Sequence, residues 1–208
     1  MITIEEIRNK FQNRRPGIQN AKGYFSVLVP LVEKNGELYI LYELRSKDID
    51  TQPGEVCFPG GKIEPGETAV QAALRETWEE IGISSQQINV IAQLDTYHPP
   101  SDIVIYPFLA EFTASCLNQL KLNEMEVEEC FLVPLSFLVQ APYVYRYSMK
   151  PNLGEDFQYE KIGRKENSYN WRPMEHQVIS WEYEGKYIWG LTALITKWTI
   201  EILTGIRD

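Results

Sequence analysis

The pattern of apolar and polar positions predicts the elements before any chemistry is considered. The stretch "YFSVLVPLVEKNGELYILYELRS" gives two β-rich runs around Asn35-Gly36, and Asn-Gly between such runs is a strong hairpin signal. "EVCFPGGKIEPGE" reads as a short strand entering a Gly/Pro-rich loop. "INVIAQLDTYH" and "IVIYPFLAEFT" read as strands, and "VEECFLVPLSFL" as a strand with a short helix after Pro134. "HQVISWEYEGKYIWG" predicts a hairpin turning at Glu184-Gly185, and "LTALITKWTIEIL" a closing amphipathic helix. Residues 3–12 and 69–81 carry helical periodicity. Residues 151–173 are the least patterned and read as a long loop or insertion. Strands and helices mix without strict βα alternation, which predicts an α+β fold with a mixed sheet.

The helix at 69–81 raises the chemical question. Thr68 followed by Gln71 is a capping-box pattern, and Gly82 supplies the stop. At 100° per residue, Val70, Leu74, Thr77, Trp78 and Ile81 share one side. Glu76, Glu79 and Glu80 share the other at i, i+3 and i+4, with Cβ atoms roughly 5–6 Å apart. Like charges at this spacing repel by a few tenths of a kcal/mol per pair. A solvated acidic face is the bland reading. Upstream, however, "FPGGKIEPGE" offers backbone carbonyls and room for close approach. Three carboxylates plus a carbonyl form an oxygen-only donor set, which suits Mg²⁺ or Mn²⁺ better than zinc.

Composition narrows the field. The 208 residues suffice for one domain, and 44% hydrophobic with 24% charged is an ordinary globular balance. The net charge of −9 disfavours nucleic acid as a partner, since binding it needs a basic stripe. The longest apolar run is far short of a membrane span, so no membrane partner is expected. "MITIEEIRNKFQNRR" reads as a charged amphipathic helix rather than a signal peptide, and "TGIRD" carries no recognisable address. Cys57, Cys116 and Cys130 are odd in number and widely spaced, which fits neither a disulfide framework nor a zinc site. Reduced thiols in a cytoplasmic protein are expected.

Gly61, five residues, Glu67, seven residues and then "RETWEEIGI" resembles the Nudix box. Gly61, Glu67, Arg75, Glu76, Glu79, Glu80, Gly82 and Ile83 match, while Thr77 stands where the pattern prefers a bulky aliphatic. The resemblance implies the α/β/α sandwich of the Nudix hydrolases, with a loop-helix-loop metal site and a core near residues 20–140. A short N-terminal helix and a C-terminal extension over 141–208 would complete a single domain spanning 1–208. It implies that Glu76, Glu79, Glu80 and the Gly61 carbonyl are metal ligands, and that Glu67 and Arg75 form a structural ion pair.

The segment before the box, "ELRSKDIDTQPGEVCFPGG", resembles the signature of the coenzyme A pyrophosphatase branch. Arg45, Ser46, Gly54, Phe58, Pro59, Gly60 and Gly61 match in register. Tyr42-Glu43 replaces a Leu-Thr, and Asp50 stands where the pattern has arginine. "NEMEVEECFLVPLSFL" and "YIWGLTA" also resemble that branch.

The resemblance therefore implies metal-dependent hydrolysis of the pyrophosphate of coenzyme A or its derivatives by water. The products would be 3′,5′-ADP and (acyl-)4′-phosphopantetheine. Arg45, Ser46 and Lys62 are expected to hold the anionic substrate. Glu80 is the favoured proton acceptor, with Glu79 beside it, and Glu128 is the candidate outside the box. Glu126, Glu128 and Glu129 otherwise read as a solvated cluster, His98 and Trp189-Gly190-Leu191 as structural. One alternative is a Nudix pyrophosphatase for ADP-ribose or another nucleoside diphosphate derivative, which Asp50 favours. Another is a nucleotide-sensing Nudix domain without activity, although such domains lose box carboxylates and this chain keeps them. The expected partner is a small molecule, and a homodimer is left open.

Overall fold

A computed structural model describes residues 2–14, 16–99, 101–154, 157–165 and 170–206. Pro100 and parts of the 151–173 stretch lie outside the described residues. In chain order the elements are α1 (Ile4–Phe11), β1 (Gly23–Lys34), β2 (Glu37–Arg45), β3 (Val56–Cys57), β4 (Gly60–Lys62) and α2 (Ala69–Ile81). Then follow β5 (Ile88–Gln93), β6 (Ile103–Phe112), β7 (Val127–Pro134), α3 (Leu135–Leu138), β8 (Tyr143–Met149), β9 (Met174–Tyr183), β10 (Lys186–Trp189) and α4 (Gly190–Thr204). The chain divides into two compact units, Met1–Val32 with Pro59–Asn123, and Glu33–Phe58 with Glu124–Asp208.

In the first unit β1 runs parallel to β6, from Gly23↔Ile103 to Val32↔Phe112. It runs antiparallel to β4, pairing Phe25↔Lys62, Ser26↔Gly61 and Val27↔Gly60. Strand β5 adds antiparallel to β6, with a register shift between Val90 and Ala92. The sheet is therefore mixed, as the α+β expectation requires. The continuous apolar run "VLVPLV" has Leu28, Val29 and Val32 fully buried, the pattern of a strand covered on both faces. Helix α2 starts at the Thr68–Gln71 capping box and ends at Gly82, which is left-handed at φ 75°. Such a cap is worth about 1 kcal/mol. The segment after it closes the helix end, with the Lys121 N–H donating to the Ile81 carbonyl and the Asn123 N–H to the Glu80 carbonyl.

The wheel on α2 needs two corrections. Trp78 is 59% exposed, whereas Ala72, Ala73, Thr77 and Ile81 are buried. The small alanines let the helix approach its neighbours closely, and the bulky indole is left outside. Glu80, on the polar side of the wheel, is only 3% exposed. Thr77 is tolerated because its hydroxyl donates to the Ala73 carbonyl at 2.7 Å, so no buried polar atom is stranded.

In the second unit β2 pairs antiparallel with β7 along Tyr39↔Pro134 to Arg45↔Val127, and with β3 at Glu43↔Cys57 and Leu44↔Val56. Asn35 and Gly36, at φ 55° and 79°, have the left-handed pair that a two-residue hairpin turn requires. Glu184 and Gly185 repeat this between β9 and β10, at φ 50° and 78°. Tyr42, fully buried, stacks on Phe58 and Phe131, and its hydroxyl bonds with Thr196 of α4 at 2.9 Å. Strands β8, β9 and β10 form a separate antiparallel sheet. Trp189, expected to pack, is 45% exposed at the end of β10.

Candidate active site

Two glycines in β4 set the geometry of the first unit's acidic helix face. Gly60 has φ +147°, and a Cβ there would meet the Ser26 carbonyl oxygen at 2.3 Å. No other residue fits this approach. It aims the Gly60 N–H at Glu80, which accepts it on Oε2 at 2.8 Å. A Cβ on Gly61 would lie 2.4 Å from the carboxyl carbon of Glu76. The bare backbone at Gly61 is therefore what lets the Glu76 carboxylate rest against β4.

Arg75 organises the remaining charges. Its Nε donates to Glu67 Oε1 at 2.7 Å, and its Nη2 to Glu67 Oε2 at 3.1 Å. Its Nη1 lies 3.0 Å from Glu76 Oε1 and donates to Glu79 Oε2 at 2.9 Å. Nη2 also donates to the Lys62 carbonyl at 3.0 Å, tying helix to loop. Glu67 additionally accepts the Glu64 N–H at 3.0 Å. The Arg75 bond, then the Glu64 amide, hold the Glu67 carboxyl below the usual carboxylate range, and the Glu67 bond above all raises the Arg75 guanidinium. The ion pair expected between Glu67 and Arg75 is thus present, and it extends to Glu76 and Glu79. This answers the repulsion of the three helix glutamates: one fixed cation lies between two of them, and a main-chain amide holds the third.

Among the described residues no three His, Cys, Asp or Glu side chains converge in a ready cation cage. Glu76 and Glu79 instead share Arg75, and Glu80 accepts the Gly60 amide. The donor set is nonetheless oxygen-only and graded in access: the Glu76 and Glu79 side chains are 17% and 43% exposed, while Glu80 is buried. Carboxylates on one helix face beside a backbone that admits no side chain at Gly61 fit a hard divalent cation by donor type.

Of the other predicted residues, Arg45, Ser46 and Glu128 lie in the second unit, and Lys62 and His98 in the first. Arg45 ends β2, with its Nε donating to the Thr51 carbonyl at 3.2 Å and its N–H to the Glu55 carbonyl at 2.9 Å. Ser46 is buried; its N–H donates to the Glu126 carbonyl at 2.8 Å, and its hydroxyl accepts the Asp48 N–H at 3.3 Å. Its hydroxyl thus serves the turn. Lys47 pairs with Glu128 at 3.3 Å, and Lys186 with Glu129 at 2.8 Å. Asp50 is exposed. His98 lies in a loop with Nδ1 2.9 Å from the Pro99 carbonyl. Sequence reading missed the roles of the Gly60 amide and the Lys62 carbonyl; the Gly-Gly step after Pro59 was the available signal. It also missed Glu43, whose carboxylate is 1% exposed in β2 and contacted by the Cys57 thiol at 3.9 Å.

A model of the NUDIX domain matches residues 24–149. The chain belongs to the Nudix family. It is 40% identical over 134 residues to the peroxisomal coenzyme A diphosphatase NUDT7 of Mus musculus, covering 64% of this chain and 56% of that one. The chain thus spans little more than half the length of that relative. It is 31% identical over 182 residues to the mitochondrial coenzyme A diphosphatase NUDT8 of Homo sapiens, covering 86% of this chain and 68% of that one. The uncharacterized Nudix hydrolase NudL of Photorhabdus laumondii is 28% identical over 200 residues, covering 94% and 95%. The crystal structure of a MutT/nudix family protein from Enterococcus faecalis superposes with a TM-score of 0.54 over 98% of this chain and 70% of that one, at 14% identity, a likeness of fold alone. Relatives named coenzyme A diphosphatases thus recur among the partial matches of this Nudix protein, and the near whole-length match is an uncharacterized Nudix hydrolase.

Proposed function

We propose that the chain is a Nudix pyrophosphohydrolase that cleaves the diphosphate of coenzyme A or its derivatives, releasing 3′,5′-ADP and (acyl-)4′-phosphopantetheine. The observation that carries this reading is the box with all its carboxylates kept, in which Glu67 and Arg75 clamp the loop to α2 and the Gly60 amide holds a buried Glu80. The relatives named coenzyme A diphosphatases support the choice of substrate.

In this reading Glu76, Glu79, Glu80 and the Gly61 carbonyl would hold Mg²⁺ or Mn²⁺. When bound, such ions neutralise the diphosphate and lower the pKa of the attacking water. Glu80 accepts the proton of that water, and its low-exposure position keeps bulk solvent from competing. Glu79 stands beside it, and Glu128 is the alternative acceptor. Arg45 and Lys62 bind phosphate oxygens by charge, and Ser46 keeps the Arg45 turn in shape. Residues 1–208 are read as one Nudix domain, which is supported by a family match that draws on both units. A cytoplasmic setting belongs to the same proposal; Cys57, Cys116 and Cys130 lie outside any disulfide, and no helix among the described residues is long and apolar enough to cross a membrane. The small-molecule substrate is the main partner, and a second copy of the chain the one macromolecular partner in this reading.

A second reading, hydrolysis of ADP-ribose or a related derivative, is favoured by Asp50, exposed where the branch signature has arginine. The test is a chromatographic product assay with Mg²⁺ or Mn²⁺ on coenzyme A, acetyl-coenzyme A, ADP-ribose and NADH. Fastest release of 3′,5′-ADP from coenzyme A is the expected result. Cleavage of ADP-ribose or NADH with coenzyme A untouched would replace the first reading by the second.

A further inference from the structure

Strand β8 is the outer strand of its sheet. It pairs with β9 in unbroken register from Tyr143↔Ser180 to Met149↔Met174, and its other edge pairs with no other described strand. Proteins defend such edges with proline, lysine, bulges or very short strands, because unpaired N–H and C=O groups template a further strand. Here the seven residues YVYRYSM contain no proline, no lysine and no register shift, and Arg146 is the single charge. Period two places Tyr143, Tyr145 and Tyr147 on one face, exposed by 72%, 58% and 38%. His176 of β9 stacks on Tyr147, with ring centroids 5.5 Å apart.

We propose that β8 is a self-association edge: a second copy of the chain adds its own β8 antiparallel about a twofold axis, extending the sheet from three strands to six. Charge selects the register. A twofold at Arg146 would set two guanidinium groups directly opposite, which is destabilising. A twofold at Tyr147 sets Tyr147 against its own copy and Tyr145 against the partner's Met149, pairs of the kind that stabilise a sheet. It also sets Arg146 against the partner's Ser148. Ser148 faces Glu175 on β9. Each Arg146 therefore reaches across a small serine toward the partner's Glu175, twice per interface, on the face opposite the tyrosines. The interface is isologous and closes on itself. It does not depend on the substrate proposed above.

Sedimentation velocity on the full chain tests this up to about 100 µM, where a Kd of roughly 1 µM leaves almost all chains paired. The expected species has twice the 24.1 kDa chain mass. Arg146→Glu sets like charges across Ser148 and weakens dimerisation at least ~10-fold. Adding Glu175→Arg restores the attraction and brings the dimer back. A wild-type chain that stays monomeric at the top concentration overturns the proposal. So does an Arg146→Glu dimer of unchanged affinity, or a doubly reversed chain that melts like wild type but stays monomeric.

Discussion

The glutamates at 76, 79 and 80 and those at 126, 128 and 129 look alike in sequence, each a trio within five residues. The fold treats them differently. On α2 the trio is braced by Arg75 and by the Gly60 amide, and Glu80 is nearly sealed from solvent. Near β7, Glu128 and Glu129 pair with single lysines whose partners stay solvent-exposed, and the Glu126 backbone serves a turn. Charge density alone therefore does not mark a site. What marks the candidate site is preorganisation: a fixed cation, a fixed amide, and Gly61, whose missing side chain leaves room for the Glu76 carboxylate against the backbone.

The sharpest way to break this contrast is Glu80→Gln, which keeps size and removes the proposed base. Coenzyme A turnover should fall by about 10²–10⁴, with the circular dichroism spectrum unchanged. Next comes Gly61→Ala. Its methyl lands on the Glu76 carboxyl group and displaces it, so turnover should drop on the order of 10² while the melting temperature moves little. Arg75→Ala removes the brace at once from Glu67, Glu76 and Glu79. A loss of about 10–100-fold in activity or metal affinity, read by titration with Mn²⁺, is expected for such supporting contacts.

Two smaller effects sharpen the same contrast from the second unit. Burial raises the Tyr42 phenol above its ordinary 10.0, partly offset by the Thr196 bond. The folded state then holds that proton more tightly than the unfolded chain does. This contribution to stability is intact below about pH 10 and is lost as the pH rises further. Denaturation midpoints followed to high pH should show the decline in wild type and less of it in Tyr42→Phe, which itself costs about 1 kcal/mol at neutral pH. Smallest of all, Lys47→Ala breaks the exposed pair with Glu128 and should change stability by less than about 1 kcal/mol in a double-mutant cycle.

Much of the site was legible because local chemistry specifies it. The Thr68 and Gly82 signals fixed α2 at 69–81 to the residue, and the box spacing named the ion pair that Glu67 and Arg75 make. The burial of Glu80 and the exposure of Trp78 were not legible, since a helical wheel knows only average hydropathy and not which neighbours a helix meets. Strand β8 was legible in principle, since Tyr143, Tyr145 and Tyr147 alternate with Val, Arg and Ser at the two-residue period of a strand, but these tyrosines face solvent rather than a core and the strand is held by pairing with the distant β9. Strand β4, three residues with two glycines, has no strand propensity at all; its pairing with β1 and the approach of Gly60 to Ser26 create it.

The most direct single measurement compares coenzyme A turnover by Glu80→Gln and Glu128→Gln proteins under one Mg²⁺ condition. The braced trio predicts a loss of at least about 100-fold for Glu80→Gln and a change within about threefold for Glu128→Gln. Near-normal turnover by Glu80→Gln, with the collapse falling on Glu128→Gln, would contradict the account.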